Sequence, residues 1–128
     1  MIRAGQLVPH FEVADVTRGR VSYVEHIWQR RILVLLTIGS GAFKSGGISG
    51  TELDALRRRL LGHDAELVAT RDHIDDVPAA GVVIADSWGE VAFVEEGPAA
   101  SLVHEPSRIL EWVQYLQHVC PECEGERK

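Results

Sequence analysis

The chain has 128 residues, 45% of them hydrophobic and 25% charged, a mix that fits one globular domain with a core large enough to need no staple. Its formal net charge of −6 argues against a nucleic-acid partner, because an acidic surface gains nothing from counterion release. The longest apolar run, residues 32–36, is far too short to cross a bilayer, and the first residues carry no cleavage signature. The expectation is a cytoplasmic protein with no membrane contact.

Residues 11–14 and 20–23 read as two short strands around a turn at Thr17-Arg18-Gly19. Residues 32–38 form a continuous β-branched and leucine run, as expected of a strand buried on both faces. The glycine-rich stretch 39–50 comes next, with five of the 12 glycines. Ser49-Gly50-Thr51-Glu52 then matches a capping box, in which the Ser49 and Glu52 side chains each satisfy a free backbone amide. It opens a helix of about a dozen residues with an apolar stripe of Leu53, Leu56 and Leu60. Arg57, Arg58 and Arg59 are expected to point mostly to water, and Gly62 to stop the helix.

Residues 66–70 read as a strand, and 71–80 as a polar connection too short for a crossover helix. Strands at 82–85 and 91–94 flank a hairpin turn at Asp86-Ser87-Trp88-Gly89. A last helix opens at Pro106, carries Ile109, Val113 and Leu116 as its stripe, and ends before Pro121. A helix between two strands forces a parallel pair and a hairpin forces an antiparallel one. The predicted fold class is therefore α/β, a central mixed β-sheet flanked by helices on both faces, and the thioredoxin-like fold is such a sheet.

Several of these segments resemble the redoxin family (peroxiredoxin-like proteins of the alkyl hydroperoxide reductase and thiol-specific antioxidant type). Gly5-x-x-Val8-Pro9-x-Phe11-x-Val13 resembles the family's opening, and Arg20-Val21, Trp28 and the 32–38 strand fit the family's next segment. Thr51-Glu52-Leu53 resembles the start of the peroxiredoxin active-site helix, and the segment from Gly81 to Asp86 the penultimate strand with its turn aspartate. The resemblance covers most of the chain and implies a domain over 1–119 with an acidic tail over 120–128.

It fails at the catalytic positions. The peroxide-reducing cysteine of the family would stand at Ser49, its proline and threonine at Ala42 and Gly46, and its arginine at Ala80. Peroxide reduction needs a thiolate made available by a helix N-terminus and a nearby cation. A serine hydroxyl forms neither sulfenic acid nor disulfide. The resemblance thus implies a degenerate site with no peroxidase chemistry at Ser49, which reads as a helix N-cap.

The sharpest chemical motif is Cys120-Pro121-Glu122-Cys123, holding the only two cysteines. Three readings stand. The pair closes a redox disulfide, acting on a protein thiol partner. It supplies two zinc ligands, with His118 as a third or a second subunit completing a site across a homodimer. Or Cys120 continues the stripe of Val113 and Leu116 as a small apolar residue. The pair comes after a helix rather than opening one, and Glu122, Glu124 and Glu126 add negative charge; both disfavour the thiolate. The leading function is thiol–disulfide redox chemistry through Cys120 and Cys123, with no cofactor. The alternatives are a non-enzymatic binding or scaffold module and zinc binding across a dimer.

Other signals are weaker. Residues 39–45 look faintly like a phosphate-binding loop, but Phe43 replaces the glycine expected before Lys44, and Lys44-Ser45 stand apart from the helix. Asp72-His73-Ile74-Asp75-Asp76 is ligand-like but reads as a solvated loop. Pro78 is a weak candidate for the cis-proline of thioredoxin folds, and Trp28, Trp88 and Trp112 are expected to pack rather than to bind.

Overall fold

The computed structural model describes residues 1–39, 50–97, 103 and 105–118. The elements are β1 (Glu12–Asp15), β2 (Gly19–Ser22), α1 (Tyr23–His26), β3 (Ile32–Thr37), α2 (Gly50–Leu61), β4 (Ala65–Thr70), β5 (Gly81–Ala85), β6 (Val91–Glu96) and α3 (Ser107–His118). They form one six-stranded sheet in the order β2-β1-β4-β3-β5-β6. Strand β3 pairs parallel with β4 and antiparallel with β5, and β5 pairs antiparallel with β6. The mixed sheet is as expected, because α2 returns the chain to the same end of the sheet before β4, whereas the turn after β5 reverses it. Boundaries move by a residue or two, and β6 runs on to Glu96.

Every residue of β3 is buried, and its alternation splits the core in two. Ile32, Val34 and Leu36 join Leu53, Leu56 and Leu60 of α2 and Ile109, Leu110 and Val113 of α3. Leu33 and Leu35 point the other way, to Ile2, Val8, Phe11, Tyr23, Ile27, Ile74 and Val77. Helices therefore cover both faces, but unequally. The two long ones share one face, and the other is closed by the N-terminal segment, the single turn α1 and the 74–77 connection. The turn α1 is capped locally, the Glu25 amide donating to Ser22 Oγ at 3.4 Å. Tyr23, expected to end a strand, begins this turn instead.

Two glycines are required by geometry. An added Cβ at Gly81 would stand 2.3 Å from the Glu95 carbonyl oxygen across the β5–β6 pair. Gly89 has φ +90 and closes the hairpin turn, where Asp86 Oδ1 accepts from the amides of Trp88 (2.9 Å) and Glu90 (3.0 Å). Helix α2 ends at Leu61, directly before Gly62 as expected, and the positive-φ reversal comes two residues later at Asp64, φ 55.

Candidate functional site

The position that carries the peroxidatic cysteine in the resembled family is Ser49, which lies outside the described residues, as do Ala42 and Gly46. The described frame around them is the end of β3 and the start of α2 at Gly50. Thr37 is buried and its Oγ1 donates to the Gly81 carbonyl at 3.2 Å, while the Ile38 amide donates to Thr70 O at 2.9 Å. Gly39 comes next with φ +75, and a Cβ there would meet Ala79 O at 3.4 Å and the Ala80 methyl at 3.6 Å. Ala80, the matched position of the family's arginine, thus sits against the chain as it leaves β3. A methyl there brings no charge to that corner.

Cys120 and Cys123 also lie outside the described residues. The element that leads to them is α3, whose last residue, His118, is exposed. Its final turn is held to the turn after α2: His63 Nδ1 donates to Gln117 Oε1 at 2.7 Å. Val113 is fully buried and Leu116 packs against the core, so the apolar stripe runs to the last turn as expected.

His73 and Asp75 pair with each other at 3.0 Å, both exposed, and Asp72 Oδ2 accepts from the Ala14 amide at 2.8 Å. Among the described residues no three histidine, cysteine, aspartate or glutamate side chains gather as a metal centre. The peptide bond before Pro78 is trans. No helix among the described residues is long and apolar enough to cross a membrane.

Two polar arrangements lie deep in the fold, and sequence reasoning missed both. Arg57, expected to face water, is 8% exposed. Its Nη2 donates to both carboxylate oxygens of Asp15 at 3.2 and 3.1 Å, and its Nη1 to Thr17 Oγ1 at 2.7 Å and Asp54 Oδ1 at 3.1 Å. The Asp15 carboxylate, wholly buried, also accepts from the amides of Thr17 (2.9 Å) and Ala69 (3.0 Å). The signal was present: position 57 is four residues after Leu53 and three before Leu60, on the flank of the buried stripe. This network ties the β1–β2 hairpin to α2 and β4. It is matched apart from Arg57 Nε, so it reads as structural.

The second is Tyr23, 1% exposed, with a hydroxyl that has no hydrogen-bond partner. Its ring stacks on Phe11, with centroids 5.3 Å apart. Burial, and then the negative charge of Asp86, push the phenol up to about 12. Trp28, beside it, donates from Nε1 to the Trp88 carbonyl at 3.2 Å and packs as expected. Trp88 does not pack: it is 48% exposed at the tip of the hairpin.

Strand order, the parallel β3–β4 pair and the α2 crossover define a thioredoxin-like fold of the kind peroxiredoxins have. Comparison with solved structures shows the same. The chain is similar to thioredoxin peroxidase I of Plasmodium yoelii, with TM-score 0.62, 16% identity, and 93% of this chain and 97% of that one covered. It is similar to the yeast mitochondrial 1-Cys peroxiredoxin, with TM-score 0.62, 12% identity and coverage of 91% and 77%. It is also similar to the thioredoxin domain of a thiol-disulfide oxidoreductase from Bacteroides vulgatus, with TM-score 0.53, 10% identity and coverage of 88% and 99%. No family model matches the chain, and no curated protein matches its sequence. At these identities the likeness establishes the fold alone.

Proposed function

We propose that this protein is a thiol–disulfide redox protein whose working thiols are Cys120 and Cys123, and that it does not reduce peroxide at position 49. The observation that carries the reading is a thioredoxin-like fold, shared with peroxiredoxins and a thiol-disulfide oxidoreductase, joined to an intact C-x-x-C directly after a helix anchored at Gln117. Ser49 supplies no thiolate, and Ala80 supplies no cation beside the β3 exit.

In the proposed reaction one thiolate of the pair attacks a disulfide of a protein partner and forms a mixed disulfide, releasing one partner thiolate. The second cysteine then attacks the mixed bond. The pair is oxidised to an internal disulfide, and the partner disulfide is reduced to two thiols, taking up the two protons and two electrons.

The test is reduction of a model protein disulfide by the pre-reduced protein. The intact chain and Ser49→Ala should react at the same rate, Cys120→Ser/Cys123→Ser should lose the reaction, and none of the three should consume peroxide at a serine. Equal rates with and without the cysteines would overturn the proposal.

A further inference from the structure

Away from the β3 exit, a cavity beside the last two turns of α3 brings aromatic rings and carboxylates together. A groove of about 430 Å³ lies between the hairpin tip and the outer face of α3. Trp88, Trp112, Tyr115 and Leu116 form its apolar wall, and Asp86 and Glu90 stand in its lining; among the described residues no lysine, arginine or histidine lines it. Two of the three rings are positioned by ring contacts. Trp112 stacks on Phe93 of β6 at 5.4 Å, and Tyr115 meets Trp112 edge-on at 5.6 Å. Trp88 is fixed through its backbone, its amide donating to Asp86 Oδ1 and its carbonyl accepting from Trp28 Nε1. Trp88 and Tyr115 are nevertheless 48% and 56% exposed, so large aromatic faces meet water at a site built from two separate elements.

We propose that this groove binds the cationic side chain of a basic peptide, an arginine or lysine laid over the rings with its charge toward Glu90 and Asp86. An aromatic face attracts a cation through its quadrupole, guanidinium and indole planes stack, and a flanking carboxylate neutralises the charge as the pair loses water. An apolar peptide would leave both carboxylates facing an uncharged surface, and an acidic one would be repelled. Neither cysteine is among the described residues that line the groove, and the peptide experiment below reads no thiol, so its failure is distinguishable from that of the redox reading.

The experiment is calorimetric titration of the full chain with a blocked alanine peptide carrying arginines, and with the same peptide carrying the uncharged isostere citrulline. The arginine peptide should bind and the citrulline peptide should not. Trp88→Ala, Tyr115→Ala and Glu90→Gln should each weaken binding about tenfold or less. Glu12→Gln, which removes the same charge at the opposite side of the sheet, should leave it unchanged. Unaltered melting temperatures show that the exposed-residue variants fold. Equal binding of both peptides, an equal loss in Glu12→Gln, or no binding at millimolar peptide would overturn the proposal.

Discussion

A buried carboxylate costs several kcal/mol unless its oxygens are matched, and Asp15 is matched by a guanidinium whose Nη2 reaches both its oxygens, a hydroxyl and two amides. Removing Arg57 takes away the guanidinium that hydrogen-bonds that buried charge and leaves only the more distant Arg18, its Nε 3.7 Å from Asp15 Oδ2. Arg57→Ala should therefore destabilise the fold by about 3–5 kcal/mol, read as a lower urea midpoint. Arg57→Lys keeps the charge but not the two-pronged geometry and should fall between. Tyr23 works the opposite way. Its hydroxyl is buried without a partner, so Tyr23→Phe should leave stability at pH 7 unchanged or raise it by about 1 kcal/mol. The same group makes the native state sensitive to alkali. Its phenol is held near 12 in the fold against 10.0 ordinarily, so between those values the unfolded chain loses a proton that the native one retains. The contribution of Tyr23 to stability is full below pH 10 and falls away as pH rises toward 12. Tyr23→Phe should flatten that fall, measured as melting temperature against pH.

At the level of elements, what could be read from the sequence was what periodicity and turn chemistry record. The 32–38 run, the Leu53-Leu56-Leu60 stripe, the Asp86–Gly89 turn and the Ile109-Val113 face all hold. The turn α1 escaped because four residues are too few for a 3.6-residue period. Arg57 escaped because three consecutive arginines read as a solvated face, although helical spacing put only one of them beside the stripe. Trp88 was assigned to packing on residue type, but its place at a hairpin tip, on the wall of an open groove, leaves it 48% exposed. Of the candidate site, Ala80 lies beside the end of β3, a placement the sequence did not record, whereas Ser49, Cys120 and Cys123 lie outside the described residues. The β5–β6 pair offers a sharp test of element geometry. Gly81→Ala would force a methyl to within 2.3 Å of a backbone oxygen and should cost about 1–3 kcal/mol, with hydrogen exchange faster in β5 and β6 than in β3 and β4.

On the scale of the whole molecule, both long helices lie on one face of the sheet, and α3 leads into an acidic segment that holds the two thiols. From the sequence, the negative end of the α3 dipole and Glu122, Glu124 and Glu126 are expected to oppose thiolate formation. Disulfide exchange should then be slow at neutral pH and rise as the thiols ionise above it, and replacing the three glutamates by glutamine should raise the neutral rate and weaken its salt dependence. The central claim is that the pair is a redox couple, and its most direct test is equilibration of the intact chain against graded mixtures of reduced and oxidised glutathione. Thiols are then trapped by alkylation, and native and denatured masses are recorded. The account predicts a cooperative passage from a doubly alkylated monomer to an unalkylated one that has lost two hydrogens. Thiols alkylated at every ratio, or a native mass carrying a zinc ion that denaturation releases, would contradict it.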